Sequence, residues 1–384
     1  MLLPFKVTSV TTAGLGELDE WRSRLDYKEP VPRSWAGRLR RDLEAEAVAA
    51  STIMEGVPVT LEDVRRILAG DQAVPVGNDE RQLVLGYEQA MNFVLRRADD
   101  ATFQWNRELV IGLHDRVLAG RFDLGAGGFR SGQTRVVDVS SQRTLFLPPA
   151  SGSLPGLADE ICERVSRPEL HPALASAWVH IALAAIHPFK DGNGRTCRVL
   201  ASLAMYRGGF RRKEFTSLEE WWGSHKADYY TAFKCLGDQF TRGADVTPFV
   251  ETHVQAQLSQ VRGLDLRERV ERKIWTVLED LAEQSGLARR AANALWDSFF
   301  GRDVSAGYYR ALADVSPATA TNDLALASAV GFLRAKGRAR ARVYLAGDKL
   351  YESVAAALGL NTGLDAQALK ASIIESLTSR EIER

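Results

Sequence analysis

His187-Pro188-Phe189-Lys190-Asp191-Gly192-Asn193-Gly194-Arg195-Thr196-Cys197-Arg198 is the stretch on which the fold turns. Before it, Ala173 to Ile186 is mostly apolar and free of Gly and Pro, which predicts a buried helix. Pro188 disfavours helical geometry at His187, so the helix should stop there. Asp191 to Gly194 predict a tight turn, whose two glycines allow positive φ and close approach of a ligand. A second helix is expected from Asn193 or Gly194 toward Tyr206. Its first N–H groups lack partners within the helix, and with the helix dipole they make an anion site. Arg195 and Arg198, three apart, share a face, and both are planar, always-charged donors suited to phosphate oxygens. Asp191 is placed to hold Mg²⁺, an ion that uses one or two carboxylates plus substrate phosphates. His187, ordinarily titrating near neutrality, is the natural general base. Singly, these residues would be a helix-end histidine, a turn and a solvated face. Jointly they predict a nucleotide polyphosphate site with a metal and a base.

Upstream, Arg38 to Met54 has helical composition. Gly56 is a helix stop, with Pro58 after it. Glu55 then falls at the helix end, four residues after Ser51 and on its face. Between the two regions, Val136-Val137-Asp138-Val139 and Thr144-Leu145-Phe146-Leu147 read as strands around a polar turn, Ser140 to Arg143. Pro148-Pro149 ends the second strand. Such a hairpin edge can pair with an extended peptide.

The run from His187 to Arg198 resembles the signature of the Fic family, H-P-F-x-[D/E]-G-N-G-R-x-x-R, with every fixed position filled. Ser51 to Gly56 resembles that family's inhibitory motif, [S/T]-x-x-x-E-[G/N]. The resemblance implies a protein adenylyltransferase, which moves AMP from ATP to a Ser, Thr or Tyr hydroxyl of a target protein. It implies His187 as the base, Asp191 as the Mg²⁺ ligand, and Asn193 with the Gly192 and Gly194 amides as an anion hole. Arg195 and Arg198 would hold phosphates, and Pro188 and Phe189 would orient the loop. Glu55 would pair with Arg198 and displace the α-phosphate, a small misplacement with a large rate cost. The hairpin would be a flap that docks the target, with Val136, Val137, Leu145 and Phe146 on it. Gly128-Phe129-Arg130 would lead into that flap, and Tyr229 and Tyr230 would help form the adenosine pocket. Gly237 departs from relatives that carry Asn near the base, so two alternatives stay open within the enzyme reading: a de-AMPylase, or transfer of another nucleotide. A third is a DNA-binding or interaction protein with a vestigial site.

Length suggests two or three domains in 384 residues. They are read as 1–100 with the inhibitory helix, 101–258 as the catalytic core and 264–384, which opens on a charged helix near Leu264. The expected class is mainly α, a Fic-type helical core with a β-hairpin flap, plus a C-terminal winged-helix domain. For the last, Ser316 reads as an N-cap with Pro317 at the first helical position, continuing to Val330. Lys336 to Leu345 then alternates basic and apolar residues like a two-stranded wing. From Arg310 to Tyr344 there are six Arg or Lys against two Asp, so DNA is an expected partner of this part through helix and wing. The whole chain, with 49 basic and 49 acidic residues, is no bulk polyanion binder. Three cysteines without metal spacing point to reduced thiols and a cytoplasmic protein. His171, His180 and His187 lack zinc-type spacing. No apolar run long enough to span a membrane occurs, and the first residues are too short and interrupted for a secretory signal. The target is unread, self-modification included, and a homodimer is expected by family analogy alone.

Overall fold

A computed structural model of the chain describes residues 2–26, 33–72, 74–138, 141–210, 218–338, 342–361 and 363–383, with the side chains of 25, 26, 33–41 and 98 outside that description. It is mainly helical and divides into two compact units, one taking in most of the chain up to residue 262 and the other residues from 263 on.

The first unit contains α1 (Ser9–Asp26), α2 (Arg33–Met54), α3 (Leu61–Leu68), α4 (Asn78–Ala98), α5 (Arg107–Val117), the strands β1 (Val136–Val137) and β2 (Thr144–Phe146), α6 (Leu154–Val165), α7 (Pro172–Ile186), α8 (Asn193–Arg207), α9 (Glu219–Ser224) and α10 (Lys226–Ala232). The long helix α11 (Thr247–Gln284) begins in it. α7 is apolar on nearly every side and almost wholly buried, the mark of a central helix. α8 leaves the next turn and packs back along it, with α4 and α5 against α8 and α6 against α7. The turn between α7 and α8 is thereby fixed by core packing at both ends.

β1 and β2 are antiparallel, pairing Val136 with Phe146 and Val137 with Thr144 across an irregular register. Leu147 leaves the hairpin and forms a parallel bridge to Gln239. Val139 and Ser140, expected in strand and turn, lie outside the described residues. The charged helix expected from Leu264 starts earlier, at Thr247. Asp245 accepts from the Thr247 N–H at 2.9 Å, and Leu264 is a buried mid-helix residue.

The second unit runs through α12 (Ala292–Phe299), β3 (Val304–Ser305), α13 (Ala306–Ala313), α14 (Pro317–Val330), β4 (Leu333–Lys336), β5 (Val343–Ala346), α15 (Asp348–Ala357) and α16 (Ala366–Ile382). Its sheet order is β3-β5-β4, all antiparallel. Ser316 caps α14 by accepting from the Thr319 N–H at 3.2 Å, with Pro317 in the first turn and Gly331 left-handed after it. The Thr319 hydroxyl shares a 2.8 Å hydrogen bond with Ser316, that of Thr321 donates to the Pro317 carbonyl, and Asn322 is exposed. Ala339, Arg340 and Ala341 of the expected wing lie outside the described residues. No helix among the described residues is long and apolar enough to cross a membrane.

Candidate active site

The turn is built by a strained exit from α7. His187 adopts the left-handed region (φ 44°, ψ 62°), and its N–H still closes the last helical turn on the Leu183 carbonyl. A non-glycine residue holds that conformation only where its surroundings over-determine it. Arg130 does so. Its backbone N–H donates to the Pro188 carbonyl at 2.9 Å, and its guanidinium donates to the carbonyls of His187 at 2.8 Å and Ile186 at 3.4 Å. The same side chain reaches Gly132 and Pro149. Arg130 was expected only as a residue leading into the flap. It is the buried clamp on the backbone of His187.

Below the turn lies His114 of α5, fully buried and stacked on Phe189 with centroids 3.6 Å apart. Its Nε2 donates to the Asp191 carbonyl at 2.9 Å, and its Nδ1 accepts from the Gly127 N–H at 3.3 Å. One neutral tautomer satisfies both, and burial pushes the imidazole pKa down to about 4. Nothing in the sequence pattern marked His114, because its partners are loop carbonyls and amides.

Gly192 precedes α8 at φ 73°, as the turn requires. Gly194 was expected to use the same freedom. It lies instead inside α8, and its value is space: a Cβ there would stand 2.3 Å from Glu55 Oε1. Asn193 turns its side chain into the loop, accepting from the Phe189 N–H and donating to the Phe189 carbonyl, both at 3.0 Å. Its side-chain amide is thereby taken up by the loop.

Asp191 and Arg195 pair at 3.2 Å, and Asp191 Oδ1 also accepts from the Gly192 N–H. Arg195 is buried, and its Nε and Nη1 have no hydrogen-bond partner among the described residues. A buried guanidinium with orphaned donors at a helix N-terminus is chemistry that fits a phosphate. Asp191 Oδ2 accepts no hydrogen bond among the described residues. One open carboxylate oxygen beside phosphate donors fits Mg²⁺, which takes its remaining ligands from phosphates and water.

Arg198 is occupied from α2. Its Nε donates to Ser51 Oγ at 2.9 Å, and Nη2 donates to the Ser51 carbonyl at 3.2 Å and to Glu55 Oε1 at 2.9 Å. The guanidinium is buried, and Glu55 with its neighbours holds its pKa above the usual arginine range against the opposing effect of burial. Glu55 thus sits over the first turn of α8, where a phosphate would sit. Burial lowers the His187 pKa to about 4, while Glu55 and Asp191 act to raise it. An imidazole so lowered is neutral at pH 7.

Two expectations need correcting. Tyr229 is buried, with its hydroxyl engaged by Arg198 Nη1 at 3.4 Å and His180 Nε2 at 3.1 Å. It forms a wall behind Arg198, and only Tyr230 of the pair is exposed. In the hairpin, Phe146 is a core residue at 8% exposure while Leu145 stands at 49%, because successive strand residues face opposite sides. Phe146 is therefore not free to dock anything. Val136 and Val137 are half-buried.

The sequence pattern of the Fic/DOC family matches residues 104–205. Among characterised relatives, a protein adenylyltransferase Fic from Nematostella vectensis is 31% identical over 213 residues, 53% of this chain and 47% of that protein. One from Drosophila melanogaster is 32% identical over 181 residues, 45% of this chain and 34% of that protein. The chain thus spans less than half the length of these relatives. Among solved structures, a Fic family protein from Desulfovibrio desulfuricans superposes with a TM-score of 0.59 at 22% identity, over 90% of this chain and 98% of that one. Fic-1 from C. elegans superposes with a TM-score of 0.55 at 21% identity, over 67% of this chain and 72% of that one.

Proposed function

We propose, from the premise that residues 104–205 form a Fic domain, that this chain is a protein adenylyltransferase held off by its own second helix. The observation that carries the reading is the four-residue ledger of the turn: a neutral His187, a carboxylate with one open oxygen, orphaned Arg195 donors, and Arg198 held by Glu55. The sequence resemblance and the adenylyltransferase relatives supply the reaction class.

In this reading ATP lays its phosphates over the α8 N-terminus, against the Gly192, Asn193 and Gly194 amides and the two arginines. Asp191 would hold Mg²⁺, whose charge would offset that of the phosphates. His187 takes the proton of the target hydroxyl as its oxygen attacks the α-phosphorus, and the bond to the pyrophosphate oxygen breaks. AMP stays on the target. Leu145 on the hairpin edge offers an apolar side chain where a target main chain would pair. With Glu55 in place, Arg198 cannot grip the terminal phosphate, so ATP sits with its α-phosphate out of line. Residues 1–100 then act as the inhibitory arm, 101–258 as the core, and the three free thiols support a reducing compartment such as the cytoplasm. A homodimer rests on family analogy.

For the second unit we read a winged helix, supported by its helices and the β3-β5-β4 order, with Asn322 facing a DNA groove. Its DNA affinity should fall steeply with salt, and no retention of duplex DNA at low salt would remove this reading.

The test of the enzyme reading uses ATP labelled at the α- or the γ-phosphate, with Mg²⁺ and cell lysate, and the Glu55→Gly protein. Label from the α position alone, lost on His187→Ala, is the expected result. Label from the γ position would make the reaction phosphoryl transfer. No label with ATP, but label with another nucleotide, would redirect the substrate. Release of AMP from a modified target would favour the reverse reaction.

A further inference from the structure

Behind Arg198, away from the turn, two helices face each other with matched polar pairs. α7 brings Ser176 and His180, and α11 brings His253 and Gln257, each pair spaced i,i+4 on one face. They surround a cavity of about 10 Å³, whose wall also includes Trp222 and Arg198. All six side chains are at least nine-tenths buried. Five of their polar atoms have no hydrogen-bond partner among the described residues: His180 Nδ1, Trp222 Nε1, His253 Nδ1 and Nε2, and Gln257 Oε1. Leaving a buried polar group unsatisfied costs about 1–3 kcal/mol, so five around one cavity is not a resting arrangement.

The orphans are also complementary in sense. Arg198 can only donate, so the Tyr229 hydroxyl accepts from it and turns its own proton to His180 Nε2. His180 then carries its proton on Nδ1. Trp222 Nε1 donates as well, neutral His253 offers one donor and one acceptor, and Gln257 Oε1 accepts. A water molecule accepts two hydrogen bonds and donates two. It needs roughly 10–15 Å³ and two to four polar partners.

We propose that this cavity is a built internal-water site, and that its water takes up to four of the five orphans into a polar shell which fixes Arg198 from behind. The chain of contacts is continuous: water, His180, Tyr229, Arg198. The front of Arg198 exchanges Glu55 for a phosphate while the back stays constant, so the guanidinium keeps its orientation through the exchange. The role of the shell rests on Arg198 being a phosphate ligand. The water site itself does not.

A crystal structure of the full chain, at a resolution that orders internal waters, tests the site. A water within hydrogen-bond distance of His253 and at least two of the other orphans is expected. An empty cavity, or the two imidazoles bonded directly to each other, would overturn it. The shell is tested by ATP titration calorimetry on Glu55→Gly and Glu55→Gly/Tyr229→Phe, since the Phe ring keeps the packing and breaks only the link. Affinity should drop about tenfold, the scale of one lost hydrogen bond to a charged group. Equal affinities would overturn the shell. If Glu55→Gly itself binds no ATP, the nucleotide reading fails and the shell falls with it, while the ordered water stands or falls on its density.

Discussion

Arg195 and Arg198 lie one turn apart on α8, equally buried, and are held in opposite ways. Arg195 pairs with Asp191, four residues away in its own turn. Arg198 pairs with Glu55, 143 residues away and just past the end of α2. The first contact forms wherever the turn forms, so it belongs to the site's construction. The second joins two elements far apart in sequence, so the turn does not need it to form, and the proposed function uses it as the switch. In the proposed reading the site is therefore complete but obstructed.

The largest effect that would break this contrast is at the base. In the Glu55→Gly protein, His187→Ala should lower AMP transfer about 10²–10⁴-fold, read as label incorporation with folding checked by circular dichroism. Retained transfer would mean that the turn is not the chemical centre. Next comes the clamp on His187. Arg130→Lys cannot fork across several carbonyls, so transfer should fall roughly tenfold with a lowered Tm, on the scale of one or two lost charged hydrogen bonds. An unchanged rate and Tm would separate the strained His187 from Arg130.

Gly194→Ala sharpens the switch side. The added Cβ meets Glu55 Oε1 and Arg198 Nη1 and should loosen the Glu55–Arg198 pair with both residues unsubstituted. Transfer should rise a few-fold in the otherwise unaltered chain, on the order of 1 kcal/mol, and should not rise in Glu55→Gly. A rise in both backgrounds would place the effect elsewhere. The smallest expected effect concerns the whole fold and pH. Five of the six histidines are held below their ordinary pKa, chiefly by burial: His114 and His187 at about 4, His253 at about 3, with His171 and His180 also lowered. The unfolded chain binds those protons first as pH falls, so the stability is present above about pH 6.5 and is lost between there and about pH 4. Calorimetric Tm should drop by about 5 °C or more per pH unit in that window, and a flat Tm would contradict the buried neutral histidines.

What was legible in the sequence was what neighbours decide. Pro188 stopping α7, Gly192 opening the turn, the Ser316–Pro317 start of α14 and the Gly56 end of α2 are all local chemistry. Arg130 and His114 were not legible, because they act across 57 and 77 residues on backbone carbonyls that carry no side-chain signature. Tyr229 and Phe146 were misplaced for a related reason. A tyrosine beside a tyrosine and a strand beside a polar turn do not say which side faces the core. The start of α11 carries a local cue, Asp245 two residues before Thr247-Pro248.

The most direct test of the obstructed-but-complete site is the ratio of AMP transfer rates for Glu55→Gly and the unaltered chain, with both proteins first shown to bind ATP. A ratio of at least about tenfold is expected from freeing Arg198 and restoring in-line geometry. Equal rates with ATP bound in both would contradict it, and would leave the Glu55–Arg198 pair as an ordinary structural contact.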